Sequence, residues 1–314
     1  MKIPSISSLF RIKTRDAGRL AVGLTARGIY LAQVEFGGAK PKVLRCEYRE
    51  TGVLSAAQLE HVAREASLGK AVCTVLLAPG EYRMMLVNAP SVPDDELKAA
   101  VRWQIKDGLS YSIDDATVDV LKIPADKNRS DRSRSLYAIT AANDTLRKYV
   151  DLFDQAGLAL GVIEIPETAQ RNIAALFEHK DRALALLAFD EKGGLLTFTA
   201  EGELYMSRRI EISVSQLSDA NVALREQYRD RVELELQRSL DYFERQFSHL
   251  TLSRVLLCAP RQSGLQEFLA ATLGVPVEDV DLSEVMEIEQ SCADFACRAL
   301  PALGAALRQE IRAT

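Results

Sequence analysis

The chain has 314 residues, of which 47% are hydrophobic, so it is long enough to form two or more packed units. Its net charge of −5 argues against a nucleic-acid-binding protein, because binding a polyanion generally needs a basic face. No stretch approaches the roughly 20 consecutive apolar residues of a membrane span, and the N-terminus lacks the apolar core of a signal peptide. We therefore expect a cytoplasmic protein.

Residues 1–19 form a lead in which basic and apolar side chains are interleaved, with Asp16 as the one opposing charge. A short basic amphipathic segment of this kind is typical of contact with an anionic membrane surface or with a partner protein. The alternative is a frayed terminus that carries ordinary charges. The basic residues are Lys2, Arg11, Lys13, Arg15 and Arg19.

Residues 20–80 are predicted to form the first unit, a three-stranded meander followed by a helix and a strand. The breaker Pro79-Gly80 ends this unit. Residues 81–165 follow the order β-α-β-β-α-β, which is typical of a ferredoxin-like inserted subdomain. Its polar loop, 126–134, is predicted to be the most disordered part.

Residues 166–180 are predicted to return the chain to the first unit as a helix, and 181–314 to form a second unit that includes a long helical part, 216–250. Both halves share a strand-strand-strand-helix-strand plan, which suggests a duplicated architecture. Each half opens with a hairpin of two apolar strands. The hairpins span Leu20–Glu35, hinged at Arg27-Gly28, and Leu184–Thr199, hinged at Gly193-Gly194. Paired turns of this kind usually face a common cleft and hold phosphate.

The cysteines are odd in number and lie mostly in apolar strand or helix patterns, so we expect buried free thiols. Only Cys292 and Cys297 are close in sequence, and their spacing lacks any zinc-site partner. We expect no metal site, and the three scattered histidines do not favour a His-based catalytic centre. The five cysteines are Cys46, Cys73, Cys258, Cys292 and Cys297.

Several segments resemble the PilM proteins, the actin-like cytoplasmic components of type IV pilus assembly that are related to FtsA. The resemblance covers nearly the whole chain from Leu20, and Ile163–Ile173 (IEIPETAQRNI) makes it most similar to the branch that serves the mannose-sensitive haemagglutinin (MSHA) pilus. It implies an α/β, actin-like (FtsA/PilM-type) two-lobed fold with a nucleotide cleft, in which 81–165 is the inserted 1C-like subdomain. The segments that carry it are Asn88–Ile105 (NAPSVPDDELKAAVRWQI), Leu109–Asp119 (LSYSIDDATVD), Ala141–Leu158 (AANDTLRKYVDLFDQAGL), Leu236–Phe243 (LQRSLDYF) and Ala302–Arg308 (ALGAALR).

The resemblance implies a magnesium-binding aspartate and small residues in the first hairpin, and this chain departs from that pattern. Thr25 stands in place of the aspartate, and Arg27 stands where small size is required. Gly28 is present, but the bulky Ile29 and Tyr30 replace the expected serines. These residues oppose ATP binding, because phosphate turns need close approach of backbone N–H groups and a carboxylate for the metal ion.

The second hairpin departs in the same way. Phe189 falls at the expected aspartate, Glu191 at the expected glycine, and Gly193 and Gly194 near the expected serines. A shift of one residue would bring Asp190 into the acidic role, so residual nucleotide binding stays an alternative. Glu191 would repel a triphosphate in a low-dielectric cleft.

At the adenosine turn, the family's Gly-Gly pair is replaced by Ala259-Pro260, and Pro260 cannot donate an N–H. An acidic position near the end of the insertion is replaced by Pro166. We therefore expect no catalytic residues, no ATPase activity and no cofactor, with ATP and magnesium binding as the alternative. Arg27 and Glu191 are either ordinary hairpin residues or a pair that ties the two lobes across the cleft in place of nucleotide.

The expected function is a non-catalytic actin-like scaffold peripheral to the inner membrane. The resemblance implies that it binds the cytoplasmic tail of a PilN-like inner-membrane protein in a groove between the first lobe and the insertion, and that it contacts pilus assembly ATPase or platform components. Trp103 is the candidate anchor for that tail, but packing in the core is the favoured of the two alternatives. Other possibilities are an ATP-binding switch of the same complex and an FtsA-like filament-forming protein.

Overall fold

The computed structural model describes residues 19–69, 71–125, 135–289, 292 and 296–308, and the predicted lead 1–18 and polar loop 126–134 lie outside them. The strands are β1 (Arg19–Leu24), β2 (Gly28–Glu35), β3 (Lys42–Glu50), β4 (Val72–Leu76), β5 (Tyr82–Asn88), β6 (Ala116–Lys122), β7 (Ser135–Ala142), β8 (Ala159–Glu164), β9 (Arg182–Asp190), β10 (Gly193–Ala200), β11 (Glu203–Ile210), β12 (Thr251–Cys258) and β13 (Val277–Asp279). The α-helices are α1 (Ala56–Glu65), α2 (Leu97–Ile105), α3 (Asn143–Gln155), α4 (Pro166–Phe177), α5 (Val214–Leu217), α6 (Val222–Gln246), α7 (Leu265–Thr272) and α8 (Ala296–Ala306).

The two large sheets have matching topologies. The first has the order β3-β2-β1-β4-β8 and the second the order β11-β10-β9-β12-β13. In each sheet the opening three strands form an antiparallel meander, because short turns connect them, and the later strands add in parallel after a helix. The predicted duplication of the fold is thus confirmed at the level of strand order.

The inserted unit has a three-stranded antiparallel sheet of order β5-β7-β6. The predicted element order β-α-β-β-α-β is present, but the ferredoxin-like pairing is wrong for the last strand. Strand β8 pairs with β4 in the first large sheet. Gly161 permits this close approach, because a Cβ there would lie 2.3 Å from a methyl carbon of Val72. Helix α3 also packs on the first unit, through Leu146, Tyr149 and Phe153.

The small sheet has two differently covered faces. Helix α2 covers one face, where Val101 packs with Met85 and Val87 of β5. On the opposite face, Tyr82 and Met84 of β5 pack with the core of the first unit. Side chains alternate across a strand, so one strand serves both contacts. The outer surface of α2 and the face toward the first unit therefore lie on opposite sides of the small sheet.

Helices α4 and α8 lie between the two large sheets. Their apolar residues share one core cluster with residues of both sheets, such as Ala21 of β1 and Leu186 of β9. Gly304 of α8 meets the backbone of α4, and a Cβ there would lie only 2.0 Å from the carbonyl oxygen of Ala169. On the other side of α4, the amide nitrogen of Gln170 lies 2.7 Å from the carbonyl oxygen of Leu186. The two helices thus join the lobes through direct backbone and polar contacts.

The expectation that all five cysteines are free is wrong for two of them. Cys258 at the end of β12 and Cys297 on α8 form a disulfide, with their Cα atoms 5.6 Å apart. Their separation of 39 residues hides the pairing in the sequence. Cys46 and Cys73 are buried free thiols, and burial raises the pKa of each to about 12. These two thiols are therefore protonated and unreactive at neutral pH.

Candidate functional site

The turn of the β1–β2 hairpin is closed by the side chain of Thr25. Its hydroxyl oxygen accepts hydrogen bonds from the backbone N–H groups of Arg27 and Gly28, at 3.3 and 3.0 Å, and donates to the carbonyl oxygen of Gly28 at 2.8 Å. A phosphate turn would direct such N–H groups at its ligand. Here they are satisfied within the turn, and the side chain of Arg27 is exposed to solvent.

Gly28 is required by packing between neighbouring strands. A Cβ there would lie 2.4 Å from the carbonyl oxygen of Arg49 and 2.5 Å from the ring of Tyr48. The Tyr48 ring in turn packs on Tyr30, with the ring centroids 4.7 Å apart. The glycine therefore makes room for an aromatic pair on the cleft side of the first hairpin.

The second hairpin turn is also closed internally. The carboxylate of Asp190 accepts a hydrogen bond of 2.7 Å from the backbone N–H of Lys192. Gly193 has φ +136°, and a Cβ on Gly194 would lie 2.7 Å from the buried ring of Phe189. The positive φ of the turn thus explains Gly193, and the packing of Phe189 explains Gly194. The carboxylate of Asp190 caps its own turn.

The predicted pair between Arg27 and Glu191 is not formed in the described part of the chain. The carboxylate of Glu191 instead accepts a hydrogen bond of 2.7 Å from the hydroxyl of Ser215, at the start of α5 in the same lobe. Both Arg27 and Glu191 are exposed. The contact between the lobes must therefore come from other residues.

Tyr30 of β2 is within electrostatic reach of the second hairpin turn. Burial raises the pKa of its hydroxyl, Arg298 of α8 opposes that effect, and Tyr48, Glu191 and Asp190 raise the pKa further. The electrostatic field of both hairpins thus reaches one half-buried tyrosine. At this position of β2, where the resemblance implied a serine, the chain has a neutral aromatic side chain.

A polar triad joins the three parts of the fold. Tyr82 of β5 donates a 2.5 Å hydrogen bond to the carboxylate of Glu167 on α4, and Arg209 of β11 donates to Tyr82 at 3.1 Å and to Glu167 at 3.4 Å. Burial lowers the pKa of Arg209, but Tyr82 and Glu167 together outweigh it and raise the pKa. Burial, reinforced by Glu167, raises the pKa of Tyr82, so it stays a donor. These residues connect the small unit, the interlobe helix and the second sheet.

The turn after β12 is closed as well. The carbonyl oxygen of Pro260 accepts hydrogen bonds from both the backbone N–H and the hydroxyl of the buried Ser263, at 2.9 and 2.6 Å. Ala259 links this turn to Cys258, which the disulfide ties to α8. Pro166, at the position where the resemblance implied an acid, is the first residue of α4, which suits its fixed φ.

Glu164 is a buried acid beside this helix start, with 3% of its surface exposed. Among the described residues, neither carboxylate oxygen has a hydrogen-bond donor, and Thr168 and Asn172 donate instead to the carbonyl oxygens of Ile165 and Gly304. The guanidinium of Arg308 is 3.6 Å away. Burial raises the pKa of Glu164, and Arg308 opposes that rise without cancelling it.

Trp103 is on the outer surface of α2 and is 70% exposed, so the alternative of core packing is wrong. The buried face of α2 is formed by Leu97, Val101 and Ile105, which are spaced at one helical turn. The ammonium group of Lys106 lies 5.4 Å from the centroid of the indole ring. A large exposed aromatic is available for contact with a partner.

Leu86 is an exposed apolar side chain that sequence reasoning missed. It is on β5, an edge strand of the small sheet, and 52% of its surface is exposed. It shares the strand face of Tyr82 and Met84, which is directed toward the first unit. The apolar run Met84–Val87 on a predicted strand was the available signal, but it did not show which face is covered.

No protein-family profile and no curated protein matches the chain at a significant level. Among solved structures, it is similar to a chain of the PilM-PilN type IV pilus biogenesis complex, with 19% identity and a TM-score of 0.71 over 93% of this chain and 98% of that one. It is also similar to the cytoplasmic domain of EpsL, an inner-membrane component of the type II secretion system of Vibrio cholerae, with 13% identity and a TM-score of 0.51 over 93% of this chain and 96% of that domain.

These likenesses confirm the predicted actin-like, two-lobed α/β fold. More specifically, the chain has the PilM-type version of it, with an inserted small unit in the first lobe. Of the helices described, none is long and apolar enough to cross a membrane. Among the described residues, no group of three or more His, Cys, Asp or Glu side chains could hold a metal ion.

We predict that Arg209→Met lowers the free energy of unfolding by about 2 kcal/mol, because it leaves the buried Glu167 carboxylate without its cation. Urea denaturation measures the change. The control is Arg147→Met, which breaks an exposed pair with Asp144 and should cost about 0.5 kcal/mol or less. Equal effects of the two substitutions would contradict a structural role for the triad.

We also predict that Glu164→Gln stabilises the protein at pH 8 and that the gain fades toward pH 4. The folded-state pKa of Glu164 is raised, so its contribution to stability is complete below the unfolded-state pKa, about 4.3, and is lost as pH rises through the folded pKa. Thermal unfolding from pH 4 to 8 tests this. A loss of stability at pH 8 would show that the pair with Arg308 outweighs the cost of burial.

Proposed function

We propose that this protein is a non-catalytic, actin-like scaffold of type IV pilus assembly that binds the cytoplasmic tail of a PilN-like inner-membrane protein. The observation that carries the proposal is the internal closure of the turns that would hold nucleotide. Thr25, Asp190 and Ser263 each use a side chain to close one turn. The shared fold with a chain of the PilM-PilN complex supports the choice of pathway.

Nucleotide binding would have to undo several of these contacts at once. The turn amides of Arg27 and Gly28 would exchange Thr25 for phosphate, and the N–H of Lys192 would exchange Asp190 for it. The first turn has no carboxylate that could hold a magnesium ion, because Thr25 stands at the position of the expected aspartate. Asp190 is the residue that favours the alternative of an ATP-binding switch, because its carboxylate is exposed at the second turn.

The small unit offers two apolar surfaces for a tail. Leu86 faces the groove between the small sheet and the first unit, which is the groove predicted for the tail. Edge strand β5 also presents unpaired backbone groups there, and an extended peptide can add to such an edge. Trp103 is on the far side of the sheet, so it would hold a tail only on the outer surface of α2. We therefore place the tail against Leu86 and keep Trp103 as the second candidate anchor.

Within type IV pilus systems, we assign the protein more specifically to MshI, the PilM counterpart of the MSHA pilus system. It rests on the resemblance of Ile163–Ile173, which forms the end of β8 and most of α4. In that role the protein would be cytoplasmic and peripheral to the inner membrane, and would also contact the pilus assembly ATPase or platform. The basic residues 1–19 would reinforce contact with the membrane surface. Nucleotide-dependent sedimentation would instead favour an FtsA-like filament.

We predict that the N-terminal tail peptide of the MSHA-system membrane subunit binds the purified chain and that Leu86→Ala weakens binding at least tenfold. A tenfold loss corresponds to about 1.4 kcal/mol, which is within the range of an interface anchor. Calorimetric titration measures it. Val53→Ala is the matched control, since Val53 is 87% exposed on the first unit.

The variant that loses affinity identifies the surface used. A loss with Trp103→Ala and none with Leu86→Ala would move the tail to α2. Equal binding of tails from other pilus systems would remove the MSHA assignment while keeping the scaffold. Failure of every tail to bind would overturn the proposed function.

We further predict that titration with ATP and magnesium shows no saturable binding up to millimolar concentrations, because the turn donors and the cleft are already occupied by protein groups. A fluorescent ATP analogue displaced by unlabelled ATP provides the readout. Micromolar affinity would contradict this proposal and favour the ATP-binding switch.

A further inference from the structure

The disulfide joins parts of the fold that belong to different lobes. Cys258 is the last residue of β12 in the second sheet, next to Ala188 of β9. Cys297 is near the start of α8. Helix α8 packs on the first sheet, where a Cβ at Gly23 would lie 3.6 Å from the Cβ of Ala302. The bond therefore connects the second sheet to a helix that also covers the first.

The disulfide also lies beside the cleft. Cys258 directly precedes the Ala259-Pro260 turn, and Cys297 is adjacent to Arg298, which acts electrostatically on Tyr30. Fixing the start of α8 thus fixes a side chain that borders the space between the hairpins. Breaking or forming the bond between the two sulfurs would therefore affect the cleft through α8.

The two sulfurs differ in accessibility. Cys258 is 1% exposed, whereas Cys297 is exposed on the helix surface. Because Cys297 is the exposed partner, we expect a reductant in solution to approach the bond from its side. Cys46 and Cys73 do not compete, because burial raises the pKa of each to about 12 and keeps both thiols protonated.

We propose that the Cys258–Cys297 pair is a redox-controlled tie that locks α8 to the second lobe when oxidised and frees its start when reduced. Disulfides in reducing compartments are usually transient and redox-sensing, whereas a permanent structural bond belongs to oxidising ones. The inference rests on the cytoplasmic location given under the proposed function, but the tie would act on the lobes whether or not a membrane-protein tail is bound.

The reaction is an exchange with a small dithiol. A thiolate of the dithiol attacks the Cys297 sulfur, the bond to Cys258 breaks, and Cys258 leaves as a thiolate that takes up a proton. The second thiol of the reductant then attacks the mixed disulfide and releases Cys297 as a thiol. Two electrons and two protons pass to the protein, and the dithiol becomes a cyclic disulfide. Oxidised dithiol drives the reverse reaction.

The test uses the full chain equilibrated with reduced or oxidised dithiothreitol. Alkylation in denaturant followed by mass spectrometry should label three of the five cysteines in the oxidised sample and all five in the reduced one. A peptide map should then identify the bond between Cys258 and Cys297. Five labelled cysteines under oxidising conditions, or a bond that involves Cys292, would overturn the proposal.

Hydrogen exchange tests the effect on the fold. Amides of Ala296–Ala306 should exchange at least tenfold faster in the reduced protein than in the oxidised one. Cys297→Ser should abolish this difference, and it removes the bond at an exposed position without a change in the core. Cys292→Ser is the control and should retain the difference. Equal exchange in both redox states of the unsubstituted chain would show that the bond does not control α8.

Discussion

The contact between α4 and α8 is the constraint on which the rest of the structure depends. Gly304 lets the backbones of the two helices meet, and any side chain larger than a hydrogen atom would collide with Ala169. The helices sit between the two sheets and share a core with both. Interior packing transmits displacement because it has few voids, so the spacing of these helices sets the spacing of the lobes. The width of the cleft follows from that spacing.

In the cleft, groups of the protein itself satisfy donors of both hairpin turns. In a nucleotide-holding cleft, phosphate and metal satisfy the donors of two turns and join the lobes. Here Thr25 and Asp190 satisfy the turns, and the triad of Tyr82, Glu167 and Arg209 joins the lobes and the small unit. A buried donor left without a partner costs about 1–3 kcal/mol, so the bond from Thr25 to the part-buried N–H of Gly28 removes such a cost, whereas the N–H of Lys192 is exposed to water.

The sequence predicted the elements of the fold well and their pairing less well. Hairpin strands, turns and amphipathic helices follow from local patterns, and a family resemblance supplied the arrangement of the lobes. The pairing of β8 with β4 depends on a close approach at Gly161, which is a contact between distant residues. The same is true of Cys258 and Cys297. A helical apolar pattern marked the buried face of α2, but it did not decide whether Trp103 was part of that face.

The contacts of the site could not be predicted from local patterns. Sequence reasoning interpreted Thr25 and Arg27 as departures from an ATP-binding turn, because the resemblance supplied a pattern to depart from. It left Arg27 and Glu191 either as ordinary hairpin residues or as a pair that ties the lobes, and their exposure agrees with the first alternative. The structure instead uses Arg209 and Glu167, which lie within a strand and a helix where their neighbours desolvate them. Exposed charges in turns gain little from pairing in water, whereas a half-buried pair gains more.

The triad also bears on how a scaffold of this kind would hold a tail. Tyr82 is the first residue of β5, the strand whose edge carries Leu86, and it is fixed to both α4 and β11. The hydroxyl of Tyr137 on β7 also donates a hydrogen bond to the carbonyl oxygen of Tyr205. This second contact holds the small sheet against the second lobe. A peptide that binds an edge strand pays less entropy when that strand is already rigid. The residues that join the lobes therefore also fix the position of the β5 edge and of its exposed Leu86.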